Sequence, residues 1–168
     1  RDKRSQNLIV WSPDENNVWK PQNLDRTERK NLTVSTNLPE IISGMTFSGM
    51  LTRTKTKNLN SGKTLQYVPE ISATVMLTYT INDIHLELQS KYVGERTYQA
   101  YNENFELVDK TLNPFQNVTA GVHFIFPAFK ESLRFHTIVE NLLNENTAFY
   151  PDYPEPDRAV KAGITFKF

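Results

Sequence analysis

The sequence predicts an all-β chain: a transmembrane, antiparallel, up-and-down β-barrel wall. Three observations carry this. Apolar residues recur at every second position in segment after segment, the period of a strand with one apolar face. The connections between these segments run alternately long and short. No stretch has helical periodicity, and with a mean hydropathy of −0.53 no apolar run approaches the ~18 residues of a membrane helix. Barrel strands escape that last criterion, because only half of their residues face lipid. A soluble sandwich also alternates, but its strands are usually shorter and its loops are short at both ends.

Residues 7–11 form a short β-rich segment, followed by the turn-forming Ser12-Pro13-Asp14-Glu15-Asn16-Asn17. A polar stretch, 19–30, leads into Leu32, Val34, Thr36 and Leu38, which alternate with Asn31, Thr33, Ser35 and Asn37. After a short link, Met45, Phe47, Gly49 and Leu51 share one parity, and a polar loop begins at Lys55. The clearest strand sets Ile71, Ala73, Val75, Leu77, Tyr79 and Ile81 against Ser72, Thr74, Met76, Thr78 and Thr80. Its ~11 residues suit a tilted bilayer crossing. Asn82-Asp83 reads as a hairpin turn into Ile84, Leu86, Leu88, Ser90 and Tyr92. A long polar stretch, 94–113, precedes the strand with Val118, Ala120, Val122, Phe124 and Phe126 on one side. A short link, 127–132, leads to Leu133, Phe135, Thr137 and Val139. A loop rich in Pro, Asp and Tyr, 144–158, precedes a last strand with Ala162, Ile164, Phe166 and Phe168 on its apolar parity. Eight strands result.

The 168 residues make one domain, 1–168. Nineteen basic residues balance 19 acidic ones, so charge gives no support to a nucleic-acid partner. Cysteine is absent, which excludes disulfides and thiol chemistry. Arg1-Asp2-Lys3-Arg4 has no apolar stretch behind it, as expected of a mature form or of a sequence whose start is missing. Short turns belong in the periplasm and long loops outside, which places both chain ends in the periplasm. Trp11, Trp19, Tyr67, Tyr92, Phe126 and Tyr150 near strand ends suit interfacial girdles.

Four places resemble the C-terminal part of a TonB-dependent outer-membrane receptor. Tyr67-Val68-Pro69-Glu70 is similar to the family's Y-x-P segment ahead of a membrane strand, and Tyr92-Val93-Gly94-Glu95-Arg96 to its Y-x-G-x-R. Val139-Glu140-Asn141-Leu142-Leu143-Asn144-Glu145 resembles the segment at its penultimate strand. The last strand resembles the outer-membrane terminal signal, with Lys161, Gly163, Phe166 and Phe168 as the residues read by the barrel-assembly machinery. The chain departs from the family at Pro156-Asp157-Arg158, where Pro-Gly-Arg is common.

The resemblance implies a multi-pass barrel in the cell outer membrane, bounded by outer-membrane lipid, that acts as pore wall and ligand-binding loops in uptake of a metal chelate or similar nutrient. It implies no cofactor and no enzymatic activity. A plug domain and TonB itself would be partners supplied by further sequence, since the chain carries wall without gate or coupling segment. The alternative is a small eight-stranded structural or engineered barrel without active transport.

Ligand capture by the last long loop would fall to Tyr150, Asp152, Tyr153, Glu155 and Asp157, an acidic and aromatic group suited to a cationic or metal-chelate ligand. His85, His123 and His136 occupy the polar parity of three consecutive strands near the short turns, where matched heights would let them converge on a metal or proton, with Glu87 nearby. Polar lumen lining is the simpler role for them. Ser61-Gly62-Lys63-Thr64 ends like a phosphate-binding loop, but its upstream glycine position holds Lys57. No Ser/His/Asp arrangement, acidic pair or Gly-rich cradle suggests catalysis.

Overall fold

The computed structural model describes residues 2–13, 18–126 and 133–166, which form strands and no helix. Eight strands build one antiparallel sheet: β1 (Asp2–Pro13), β2 (Trp19–Ile42), β3 (Met45–Asn58), β4 (Ile71–Ile81), β5 (Ile84–Val93), β8 (Phe115–Ile125), β9 (Leu133–Glu140) and β12 (Ala159–Phe166). Two short hairpins stand outside that sheet, β6 (Arg96–Tyr101) with β7 (Leu107–Leu112), and β10 (Ala148–Tyr150) with β11 (Tyr153–Pro154). Each sheet strand pairs with the next one along the chain, an up-and-down meander.

The register keeps the two parities on separate faces across the whole sheet. One row runs Leu38, Phe47, Leu77, Leu88, Ala120, Val139, Val160, each residue opposite the next. On the other face, Thr33 lies opposite Thr52 and Thr46 opposite Thr78, with hydroxyl oxygens 3.1 and 2.6 Å apart. Such cross-strand hydroxyl pairs satisfy polar side chains within the sheet.

There is almost no core. Among the described residues only Val93, Phe115 and Val118 are buried apolar side chains, while Leu32, Val34, Leu51, Val122 and Ile164 lie exposed on the apolar face. That face would have to be covered by something other than this chain. The eight strands do not close on themselves: among the described residues β1 pairs only with β2 and β12 only with β9. A small closed barrel made by this chain alone is therefore not what the sheet forms.

Several segments differ from the sequence expectation for one reason. Residues 12–13, expected in a turn, end β1, and residues 55–58, expected to open a polar loop, extend β3 opposite 27–30. Residues 19–30 are strand rather than polar connection, paired with β1 from Asp2 opposite Lys30 to Pro13 opposite Trp19. Residues 39–42 extend β2 past a register shift, and the stretches 94–113 and 144–158 contain the two extra hairpins. Where neither face is selected for apolar contact, a backbone ladder forms without an alternating pattern to announce it. The β1–β2 hairpin continues past Thr27, the last β2 residue opposite β3, through residues 19–26, about 26 Å at ~3.3 Å per residue. Trp11 and Trp19 sit near its far end, and Tyr67 and Tyr150 pack among the loops, so these four are not girdle positions. Tyr92 and Phe126 do lie at strand ends, the latter edge-on to Phe124 at 4.7 Å.

The turn Ser43-Gly44 joins β2 to β3 with Gly44 at φ +79°, where an added Cβ would collide with the Thr80 carbonyl. Gly62 has a similar φ of +75° but open space around it. Gly44→Ala is therefore expected to lower the urea unfolding free energy by clearly more than Gly62→Ala. The latter should cost only the ~1 kcal/mol of left-handed backbone in a non-glycine residue. Equal losses in the two variants, followed by tryptophan fluorescence, would contradict this packing.

Candidate functional site: the loop end and the polar face

All the long connections lie at one end of the sheet, and three anchors hold them, two buried and one half-buried. Gly94 lets the chain leave β5 against β4: its N–H donates to the Ile71 carbonyl at 2.8 Å, and a Cβ there would lie 2.7 Å from the same oxygen. Two residues on, Arg96 is 2% exposed. Its guanidinium donates to the carbonyls of Ala148 at 3.0 Å and Asn113 at 2.9 Å, tying the bases of both hairpins together. It also lies over the rings of Phe115 and Phe149, 5.0 and 5.9 Å from their centroids, and these rings meet edge to face. Burial pushes the guanidinium pKa down, although an arginine stays charged near neutral pH.

Asn141 is the second anchor. Its amide donates to the carbonyls of Glu145 at 2.9 Å and Pro156 at 3.3 Å, and its oxygen accepts from the Glu145 N–H at 3.1 Å. Asn141 and Asn144 both have positive φ, 48° and 55°, a conformation asparagine tolerates better than most residues. The Glu145 carboxylate then accepts from the Gln116 backbone N–H at 3.0 Å.

Tyr67 is the third. Its N–H donates to the Thr97 carbonyl at 2.9 Å, and its ring stacks on Tyr98 at 6.0 Å and tilts against Tyr150 at 5.1 Å. Burial, then the neighbouring Tyr98 and Tyr150, raise its phenol pKa. The loop 59–70 is thus sewn to both hairpins, with Gln66 bonded to Gln99 and Gln99 to Asp109. Arg53 also holds Glu70 through Nε at 3.1 Å and Nη2 at 2.8 Å, and this bonding, then its charge, keeps the Glu70 carboxyl below the usual range.

The sequence-predicted ligand residues divide into two places. Glu155 and Asp157 line a recess of about 280 Å³ with Asn117, Thr119, Glu140 and Asn141. Tyr150 joins the tyrosine cluster, whereas Asp152 and Tyr153 form the β10–β11 tip, Tyr153 being 75% exposed. Glu140, which completes the acidic recess, sits on β9 and was not among the predicted ligand residues; only the register that sets β9 beside this loop brings it there. Ser61-Gly62-Lys63-Thr64 begins in a turn: Gly62 N–H bonds to the Asn58 carbonyl, and Lys63 reaches Asp109 at 3.7 Å.

At the other end, His85, His123 and His136 do form a continuous row, His85 opposite His123 and His123 opposite His136. Their rings turn to different neighbours. His85 Nδ1 bonds the Thr80 hydroxyl at 2.8 Å, His123 Nε2 is 4.0 Å from the Glu87 carboxylate, and His136 lies over Gly163. No group of three or more His, Asp or Glu side chains among the described residues has a metal-holding arrangement. The His123 and His136 rings also stack on each other, their centroids 6.0 Å apart at 28°, so two of the three imidazoles meet while His85 is turned to Thr80.

Of the terminal-strand residues, Lys161 pairs with Glu140 at 2.6 Å and Phe166 lies opposite Leu133. Gly163 lies opposite His136, and a Cβ there would be 2.6 Å from Nε2. Phe168 lies outside the described residues.

With this geometry in view, comparison with known proteins gives a consistent class. No family model and no curated protein sequence matches the chain. Among solved structures, similarity is found to the ferripyoverdine receptor of the outer membrane of Pseudomonas aeruginosa, with a TM-score of 0.77 at 10% identity over 99% of this chain and 24% of that one. A ferric enterobactin receptor mutant from Pseudomonas aeruginosa is similar with a TM-score of 0.75 at 19% identity, over 99% of this chain and 28% of that one. The copper transporter OprC gives 0.72 at 17% identity, over 98% and 27%. These are TonB-dependent receptors, and at such identities the likeness is one of fold: an all-β section of outer-membrane barrel. The chain spans about a quarter of their length.

Three outcomes follow. Arg96→Ala should speed amide exchange across residues 148–154 by about tenfold or more while β3–β5 keep their protection, since two hydrogen bonds from a charged donor are lost. Gly163→Ala should force the His136 ring aside, and the doubly substituted Gly163→Ala, His136→Ala chain should recover part of the loss, a coupling of roughly 0.5–1 kcal/mol in a double-mutant cycle. A carboxyl with a lowered folded pKa contributes above its unfolded pKa and loses that contribution as pH falls through the folded value. The Glu70 tether should accordingly release the loop 59–70 in acid, read as faster exchange there, and Glu70→Gln should remove that pH dependence.

Proposed function

We propose that this chain is a section of the wall and outer loop surface of a TonB-dependent outer-membrane receptor that takes up a metal chelate or similar nutrient. The observation that carries the reading is the two-faced open sheet, apolar and exposed on one side, with every long connection gathered at one end. The similar solved structures, which include receptors bound to ferripyoverdine and to enterobactin, support the same reading. In this reading lipid covers the apolar face, the Thr-, Ser- and His-bearing face lines the lumen or meets a plug, and the long-loop end faces outward. The sheet's two free edges fit a larger barrel completed by further strands. Lys161, Gly163, Phe166 and Phe168 would serve the barrel-assembly machinery, and TonB would act through a plug.

The acidic recess and the tyrosine cluster offer two kinds of contact to a ligand, charge from Glu140, Glu155 and Asp157 and stacking from Tyr150. The test is binding of ferric chelates to the detergent-purified receptor. Glu155→Gln with Asp157→Asn should weaken the bound chelate by about tenfold or more, and unchanged affinity would remove these residues from the ligand site. Membrane insertion is tested separately. Val122→Lys and Leu77→Arg should each disfavour insertion by ~2–4 kcal/mol near the bilayer midplane, whereas the same changes at Thr119 and Thr78 should be mild. Equal tolerance on the two faces would overturn the membrane assignment.

A further inference from the structure

The apolar face is not electrically symmetric between its ends. At the short-turn end its side chains include Ile42, Met45, Tyr79, Ile84, Phe124 and Phe135, with no lysine or arginine on that face among the described residues. At the loop end, directly beyond Leu32, Leu51 and Ile71, the same face turns basic. Arg53 stands opposite Leu32, Lys55 opposite Lys30, and Lys57 opposite Glu28, which in turn faces Arg4. Arg26 continues the row on β2.

Three of these cations have carboxylate partners: Glu28 sits between Arg4 at 3.4 Å and Lys30 at 3.2 Å, and Glu70 bonds Arg53 at 2.8 Å. Asp2 is the other carboxylate on this part of the face. Among the described residues, Lys55 adds its charge to that of Arg53 beside Glu70 but bonds no carboxylate, Lys57 is in no ion pair, and both are exposed. Positive charge is thus in excess on a patch three strands wide, about 10 Å, that follows β3 for about 14 Å from Arg53 to Lys57.

A solvated surface would not need this patch to share a face and a boundary with the apolar band. A bilayer boundary does. Charges there sit at headgroup depth while the strand below is in hydrocarbon, and basic side chains at that depth attract anionic lipid.

We propose that Arg53, Lys55 and Lys57, with Lys30, Arg4 and Arg26 beside them, form a binding site for a phosphorylated lipid headgroup of the leaflet at the loop end, whose acyl chains lie against Leu32, Val34, Leu51 and Ile71. This rests on the reading that the apolar face meets a bilayer. The lipid's phosphates pair with the exposed Lys55 and Lys57, and its chains cover the exposed side chains below them. One lipid thus satisfies both halves of the surface. Inorganic phosphate satisfies only the upper half and should bind far more weakly.

The test uses the detergent-purified protein reconstituted into phosphatidylcholine nanodiscs doped with lipid A bearing both phosphates or with its dephosphorylated form. Lipid retained by the protein is quantified after extraction. The phosphorylated form should be enriched about tenfold over the dephosphorylated form, the enrichment should fall as salt rises, and excess inorganic phosphate should not displace it. Lys55→Glu with Lys57→Glu should abolish the enrichment and leave insertion into pure phosphatidylcholine intact. Lys91→Glu, on the polar face, should leave the enrichment unchanged. Equal retention of the two forms, displacement by inorganic phosphate, or enrichment that survives the double reversal would each overturn the proposal. Failure of the unsubstituted protein to insert into phosphatidylcholine would instead overturn the membrane reading itself.

Discussion

The structure depends on one constraint: an apolar face, held in register over the seven sheet strands from β2 to β12, that the described residues leave uncovered. A two-layer protein would bury Leu32, Val34, Leu51, Val122 and Ile164 against a second sheet or a helix, and would gain roughly 25 cal/mol per Å² in doing so. Here that gain requires an apolar surrounding from outside. The backbone ladder is compatible with it, because antiparallel pairing satisfies the interior N–H and C=O groups of the strands from β3 to β9 along the apolar band, while β1 borders β2 only over residues 19–30.

Rigidity in this chain is concentrated at the loop end. Its buried polar residues include Arg96, Asn141 and Thr147; both Nη groups of Arg96 and the amide of Asn141 bond backbone carbonyls of the loops, while Arg96 Nε and Thr147 Oγ1 have no partner among the described residues. Residues that a motif comparison singles out, Tyr67, Gly94, Arg96 and Asn141, turn out to be framework. They hold the hairpins in place, and the side chains left over for a ligand are those the framework displays, Tyr150, Glu155 and Asp157 among them. The histidine row at the opposite end has a different character. It is ordered by register, and each ring is engaged locally, His136 by filling the space above Gly163.

The asymmetry of charge along the apolar face adds a direction to the sheet. Bands of apolar residues alone do not distinguish one side of a bilayer from the other. A basic border at the loop end does, and it agrees with the side on which the long connections gather.

The seven sheet strands from β2 to β12 that carry the apolar row, their two faces and the Asn82-Asp83 turn were legible in the sequence because burial against any apolar medium selects strict alternation, and alternation survives in one dimension. The expected link 127–132 lies outside the described residues. The β1–β2 extension and the hairpins at 96–112 and 148–154 were not legible, because both their faces meet polar surroundings and no period is selected. The three histidines could be placed on one parity but not given a direction, since ring orientation depends on Thr80, Glu87 and Gly163 from across the sheet. The acidic recess likewise needed β9 to be set beside the last loop before Glu140 could join Glu155 and Asp157. By itself, then, the sequence determined which side chains share a face, through the period of two. Tertiary structure alone decided which strands are neighbours and at what height, and therefore which polar groups meet.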